Sequence, residues 1–308
     1  MCLNAAGTGV AMTSVIAVIT VFNAPDDLQR RSVSLLEQVD GVVLVDDGSN
    51  SIGDLPSVEG VERILLPENR GIAHALNVGV RRARERGATH LLLLDQDSEP
   101  PAGYVDLLMT RLASSDVPAV AVPEEVGDAP ILRDRHTGEA FDPIQSGQLL
   151  PIEVCDRVGE FAERYFIDAV DSEFRVRAGS LGVPFLPVAG ASLAHSLGDL
   201  VPLSVFGRPL RLRGRTRHVL YHAPFRTYYM VRNSAALWRE QAPGHRRWMM
   251  RRSWKLAEMV VGCALLAPDA PDQVRAIVAG LADAVRNRSG RIPTATLHRV
   301  SRRRRRRS

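Results

Sequence analysis

Lysine is almost missing from this chain of 308 residues: Lys255 is the only one, against 38 arginines. Coding bias alone can produce that ratio, so arginine identity by itself carries little weight. Cysteine is scarce too. Cys2, Cys155 and Cys263 are odd in number and far apart, which excludes a disulfide framework or a cysteine metal motif and suits a reducing compartment. No apolar run reaches the length of a membrane span; residues 15–22 and 259–267 come nearest and are too short. The first fourteen residues carry no Lys or Arg, so a signal peptide is not expected.

What is present is an ordinary globular composition, 45% apolar and 24% charged, with the charge unevenly laid out. Up to residue 200 the chain holds 15 Lys+Arg against 30 Asp+Glu, a balance of −15. After it, 24 stand against 5, a balance of +19 that includes the run Arg302–Arg307. The sequence pI of 9.3 therefore describes the C-terminal third. Nucleic acid, an anionic membrane surface and a solvated tail all fit such a third.

The first 125 residues alternate between strand and helix. VIAVITVF (15–22), GVVLV (41–45), VERILL (61–66), THLLLL (89–94) and AVAVP (119–123) read as strands, separated by amphipathic stretches. One of these puts Ile72, Ala75, Leu76, Gly79 and Val80 on a single face and stops at Gly87. This alternation predicts a mainly parallel sheet whose ligands sit beyond the carboxyl ends of its strands. Two acidic clusters fall at such ends: Asp46–Asp47 in VDDGSNS and Asp95–Asp97 in LLLLDQDSEP. Residues 124–145 read as loop, and 201–300 as an irregular basic segment followed by helices.

Each acidic cluster has a bland explanation beside the chemical one. Asp95 and Asp97 can turn toward one hard divalent cation bridging diphosphate oxygens, or form a solvated turn with Ser98 and Pro100. Asp47-Gly48 is equally a turn, or Asp46 and Asp47 accept hydrogen bonds from a nucleoside. In FIDAVDSEFRVRAGSLG (166–182), Asp168 reads as an N-cap with Asp171 three residues on. Glu173 remains as a third acid, and a carboxylate in a first helical turn is held ionised, as a general base must be. His195 is a lone histidine that only a nearby metal would turn into a ligand.

VITVFNAP, VDDGSNS, ENRGIAHALNVGV and LLLLDQDSEP, then IQSGQLLPIEVCDRVGEFAERYFIDAVDSEFRVRAGSLG, AHSLGD and PFRTYYMVRN, follow one another over residues 15–235. In that order and spacing the chain resembles the family 2 inverting glycosyltransferases of GT-A fold, and among them the bacterial rhamnosyltransferases. The resemblance implies an α/β, Rossmann-like, mainly parallel sheet flanked by helices, with a basic helical C-terminal extension. It divides the chain into an N-terminal extension (1–14), a transferase domain (15–235, with a nucleotide half at 15–125 and an acceptor half at 140–235), a helical segment (236–300) and an Arg-rich tail (301–308).

The resemblance also implies roles. Phe22, Asn23, Asp46 and Asp47 would line the nucleotide pocket, and Asn69, Arg70 and Gly71 would close on the donor. Asp97 would bind Mg2+ or Mn2+, with Asp95 nearer the ribose and diphosphate and His195 a further ligand. Asp171 would deprotonate the acceptor hydroxyl with Glu173 and Asp168 in support, and Arg226, Tyr228, Arg232 and Asn233 would lie toward the acceptor. Val170 stands where many relatives have an acid, and Phe174 where a Trp is common. The implied donor is dTDP-L-rhamnose, with UDP- or GDP-linked sugars as alternatives. The acceptor is a cell-envelope glycan, free or lipid-linked. The implied location is the cytoplasm; the interleaved Arg, Trp and Met of residues 246–266 fit either peripheral contact with the anionic inner face of the membrane or an amphipathic helix packed on the catalytic domain.

Other classes fit poorly. Haloacid-dehalogenase-like phosphatases want DxDG[T/V] near the N-terminus and a downstream Lys, whereas here Ser98 and Glu99 follow Asp97. A sugar nucleotidyltransferase wants a Gly-rich loop with a basic residue after the first strand, which FNAPDD does not supply. A nucleic-acid binder would rest on the arginines alone, against the interleaved acids of the first 200 residues, so no nucleic-acid partner is expected.

Overall fold

The computed structural model describes residues 13–127, 129–195, 199–202, 204–205, 208–209, 211–212, 215–216, 218–267 and 269–301. The 1–14 extension lies largely outside these residues and the Arg302–Arg307 run wholly so; the AHSLGD stretch is only partly described.

A mixed sheet forms the centre. Its strands are β1 (Val15–Val21), β2 (Gly41–Asp46), β3 (Val61–Leu65), β4 (His90–Asp95), β5 (Val120–Val126), β6 (Ala129–Pro130), β7 (Gln148–Pro151) and β8 (Phe185–Leu193), in the order β3-β2-β1-β4-β7-β5-β6, with β8 beside β5. β3, β2, β1 and β4 are mutually parallel, as are β5 and β8; only β7 and the short β6 run against their neighbours. The four leucines of β4 divide between the two faces, because successive side chains of a strand alternate. Leu91 and Leu93 join Ile16, Val18, Val43 and Val45 under α2 (Ile72–Glu85), α4 (Ile152–Val158) and α5 (Val170–Ser180). Leu92 and Leu94 join Ala17, Ile19, Val42 and Leu44 under α1 (Leu28–Leu35) and α3 (Tyr104–Ala113). A strand buried on both faces has no polar positions, hence the continuous apolar runs. Gly79 lets α2 approach β1: a Cβ there would lie 2.3 Å from Val18 Cγ1.

The C-terminal third is helical. α6 spans Pro224–Leu266 but breaks at His245 (φ −132°, ψ 34°), two residues after Pro243. Arg252 Nη1 nevertheless donates to Ser234 Oγ at 2.9 Å. A straight helix would hold those residues about 27 Å apart at 1.5 Å per residue, so the two halves, α6a (224–244) and α6b (246–266), fold back on each other. α7 (Ala270–Val285) packs on α6a, where Gly280 meets the Tyr228 carbonyl, and α8 (Thr294–Val300) follows. The irregular segment before α6 carries a short antiparallel ladder between Asp199–Pro202 and His218–Tyr221.

Candidate functional site

The parallel register brings the two acidic clusters side by side. Thr20 of β1 pairs with Asp95 of β4, and the next residue, Val21, pairs with Asp46 of β2. Both clusters leave the sheet at its carboxyl edge, where side chains escape the core and loops take over.

Asp46 is wholly buried and surrounded by donors. One oxygen accepts from the Ser49 N–H and hydroxyl, both at 2.7 Å, and the other from the Ser51 N–H at 2.6 Å and hydroxyl at 3.1 Å. Burial works against its charge, but the Ser49 and Ser51 donors outweigh burial and hold the carboxyl below its usual range. Asp47, also buried, accepts the Arg70 and Gly71 N–H groups, both at 2.8 Å; burial raises its carboxyl against those bonds. Both acids therefore fold their loops, and their oxygens are already taken by the protein. Phe22 and Asn23 project beside them, Phe22 45% exposed. Their backbones are tied to Gln96 and Ser49. The Asn69 Oδ1 atom is buried and has no hydrogen-bond partner among the described residues.

Asp95 and Asp97 are differently placed. Among the described residues, Asp95 Oδ1 accepts from Gln145 Nε2 alone, at 2.6 Å. Burial pushes this carboxyl up to about 6; His195, Arg226 and Gln145 pull against the rise and Asp97 adds to it. His195, just past the end of β8, brings Nδ1 to 3.2 Å from Asp97 Oδ1 and Nε2 to 4.0 Å from Asp95 Oδ2. Ser98 Oγ fixes the ring at 2.9 Å and is itself fixed by Ser146 Oγ at 2.6 Å. For Asp97 burial is again opposed, and outweighed, by the bond and charge of His195. The imidazole is raised in turn by both acids, against its burial. One ligand atom from each of Asp95, Asp97 and His195 lies within 4.8 Å of the others. Two carboxylates and an imidazole are a donor set that Mg2+ or Mn2+ accepts.

The second half of the site lies at the start of α5. The capping box expected of Asp168 is not formed. α5 begins at Val170, and Asp168 and Ala169 both take left-handed backbone (φ 61° and 64°) with no side-chain cap. The Asp168 carboxylate instead receives Arg226, with Nε at 3.0 Å and Nη2 at 2.7 Å. A bidentate guanidinium satisfies a carboxylate better than one backbone N–H does. Left-handed backbone costs about 1 kcal/mol per non-glycine residue. Asn233 Nδ2 offsets this by donating to the carbonyls of Tyr165, Ile167 and Asp168. Arg232 braces the same segment from the Tyr228 side, donating to Gly290 O and, at 3.4 Å, to Tyr165 O.

That corrects the placing of the acceptor-side residues. Tyr228, Arg232 and Asn233 are 0–1% exposed and stand behind the wall, with Tyr228 bonded to Asp283 of α7; Arg226 alone of the four reaches forward. Glu173 is likewise buried and is held by Arg177 at 2.8 and 2.9 Å, with Arg164 at 3.7 Å.

Asp171 has no such partner. Apart from the neighbouring Ser172 N–H at 3.0 Å, its charged neighbours are Asp142 and Asp168 on one side of the balance and Arg252 and Arg226 on the other. Burial pushes it up to about 7, with Asp142 and Asp168 adding to the rise and Ser172 and Arg252 opposing it. Asp142 and Arg252 went unnoticed in the sequence. Asp142 Oδ1 accepts from Ser172 Oγ at 2.8 Å and its other oxygen pairs with Arg252 at 3.2 Å. The first sits in a stretch read as loop, and the second lies 81 residues past Asp171 on a helix that reaches the site only because α6 folds back. Arg226 spans the two halves, its charge felt by Asp95 and by Asp171.

Residues 16–162 match the family model described as Glycosyl transferase family 2. Those residues form a family 2 glycosyltransferase domain. The dTDP-rhamnosyl transferase RfbF of Shigella flexneri is 29% identical over 249 residues, covering 74% of this chain and 81% of that protein. S. aureus TarS superposes with a TM-score of 0.55 at 13% identity, over 92% of this chain; the chain spans half the length of that TarS chain. The TarS 1–349 structure gives 0.50 at 12% identity, covering 89% and 81% of the two chains. At such identities TarS shows the fold, which is the GT-A arrangement of sheet and helices. The chain is thus a glycosyltransferase, and the transferase keeps these carboxylates at the edge where its parallel strands end.

Proposed function

We propose that the transferase moves L-rhamnose from dTDP-L-rhamnose onto a hydroxyl of a cell-envelope polysaccharide acceptor, with inversion at the anomeric carbon. The observation that carries this reading is the position of Arg226, within electrostatic reach of both Asp95 and Asp171. The cation-binding acids and the unpartnered acid thus face one space. The rhamnosyl choice rests on the relative from Shigella flexneri, which is named a dTDP-rhamnosyl transferase.

In this reading Asp95, Asp97 and His195 hold Mg2+ or Mn2+, which when bound offsets the charge on the departing nucleoside diphosphate. Ser98, Ser146 and Gln145 keep those ligands in orientation. Phe22 offers an exposed ring to the nucleoside, and the 69–71 loop, locked to Asp47, forms the donor side. Asp171 takes the proton from the acceptor hydroxyl as that oxygen attacks opposite the leaving group. A carboxyl raised to about 7 accepts a proton more readily than an ordinary one and is about half ionised near neutrality. Arg226 neutralises negative charge between the two groups. The donor is a cytoplasmic metabolite type, and the acceptor glycan would sit on a lipid carrier at the inner face of the cytoplasmic membrane. Among the described residues no helix is long and apolar enough to cross that membrane.

Nucleotide sugars linked to dTDP, UDP and GDP, screened by thermal shift with and without Mn2+, test the donor. Selective, metal-dependent stabilisation by dTDP-rhamnose is expected. Stabilisation by a UDP- or GDP-sugar alone would replace the sugar assignment, and metal-independent stabilisation surviving Asp97→Ala would sink the metal site.

A further inference from the structure

Half of the sixteen large apolar side chains left exposed among the described residues crowd onto two helices, α6b and α7. On α6b they are Met250 (56% exposed), Trp254 (70%), Val261 (52%) and Leu265 (68%). Steps of four, seven and four residues put them on one stripe of a helix. The opposite face of α6b is taken up by the protein: Met249, Val260 and Cys263 are buried, Trp248 Nε1 donates to Phe141 O at 2.8 Å, and Arg252 reaches Asp142. The outer stripe is therefore surplus to the fold. Isolated exposed apolar residues need no explanation, but a run of four along one helix, with an indole at its centre, does.

The charges beside the stripe say what covers it. Arg246, Arg247 and Lys255 are exposed, whereas Glu258 is the only acid of α6b, and it accepts from the Trp254 indole N–H. Two copies of this face would bring like charges together. A nucleic acid would use the cations but leave the apolar stripe in water. An anionic bilayer surface satisfies both parts, because its headgroups take the arginines and its acyl boundary takes the apolar side chains. The stripe on α7 (Val274, Val278, Leu281, Val285) has no comparable basic border, so α6b is where the case stands.

We infer that the outer face of α6b docks the transferase on anionic lipid, with Met250, Trp254, Val261 and Leu265 entering the headgroup boundary and Arg246, Arg247 and Lys255 above it. This rests on the lipid-carried acceptor proposed above. Because the buried face of α6b carries Arg252 to Asp142, docking would hold the Asp171 side of the site near the membrane.

The test is co-sedimentation of the full chain with phosphatidylcholine vesicles, with and without phosphatidylglycerol, beside Trp254→Ser/Leu265→Ser. Wild type should bind only the anionic vesicles, and the double variant roughly tenfold more weakly, with unchanged circular dichroism and donor-induced thermal shift. Bromolipid quenching of tryptophan emission should largely vanish in Trp254→Phe. Equal binding by wild type and the double variant would overturn the proposal, leaving charge alone as the cause. So would a double variant that fails to self-associate where wild type does, with no vesicle binding by either. Donor-induced stabilisation without any vesicle binding would remove the docking face and spare the transferase reading; the reverse pattern would spare the face and remove that reading.

Discussion

Two pairs of acids leave adjacent ends of one sheet, yet only one pair is free for chemistry. Asp46 meets serine hydroxyls and backbone N–H groups on both oxygens, and Asp47 one backbone N–H on each. Asp95 and Asp97 meet one amide and one imidazole. The same residue type at the same architectural position is a loop clamp in the first case and a sparsely hydrogen-bonded carboxylate next to a histidine in the second. Donors from the chain itself settle the difference. Where a loop curls in to offer N–H groups, as GSNSI does for Asp46 and the 69–71 loop for Asp47, the acid clamps that loop. Where it does not, as in QDSEP, the acid is left to a ligand.

The largest effect is expected at the third location, Asp171, which belongs with the unsatisfied acids. Asp171→Asn should bind donor as wild type does yet lose about 10²–10⁴-fold in transfer; near-normal turnover in a coupled nucleotide-release assay would point to another base. Asp46→Ala sharpens the contrast from the structural side. It strips the half-buried Ser49 and Ser51 donors of their buried acceptor, which should lower unfolding stability by about 3 kcal/mol in urea titrations.

The contribution of Asp46 has a definite pH window. Its folded carboxyl lies below the ordinary 3.8, so the stabilisation is complete above that value and is lost as pH falls through the folded one. Wild type and Asp46→Ala should converge in strong acid; a gap that persists there would mean packing rather than charge. Asp97→Ala should do the opposite of Asp46→Ala. Unliganded stability should move by no more than about 0.5 kcal/mol, while Mn2+-dependent stabilisation by donor disappears. A large loss of unliganded stability would erase the distinction between the two pairs.

The smallest effect concerns the pH profile. With Asp171 raised to about 7, transfer should rise with pH through that region as the base form fills. Asp142→Asn removes a neighbouring negative charge and should move this acid limb to lower pH. Arg252→Met removes a positive one and should move it higher. Coincident profiles for all three proteins would separate Asp142 and Arg252 from the base.

Much of the scaffold was readable beforehand for a simple reason: doubly buried strands and amphipathic helices write themselves in local periodicity. α2 buries Ala75, Leu76, Gly79 and Val80 of the face read from the sequence, and β4 ends at Asp95 where its leucines end. The candidate cation set was half readable, because D-x-D at a strand end is local. His195 joined it only by family resemblance, since it lies 98 residues from Asp97. Asp168 was misread as a cap because a capping box is a local pattern, and the competitor for its carboxylate, Arg226, is 58 residues away. Tyr228, Arg232 and Asn233 were placed near the acceptor, whereas burial puts them behind the strained 166–169 segment they support.

The sequence by itself determined where strands end in acids, which faces of the helices are apolar and that charge divides at about residue 200. These follow from neighbours in the chain, whose spacing is fixed by covalent geometry. Only the tertiary structure decided which acids are already satisfied, that α6 doubles back to bring Arg252 to Asp142, and that Asp171 sits among Asp142, Asp168, Arg252 and Arg226. Hydrogen bonding and desolvation depend on groups that the chain brings together only after it has closed on itself.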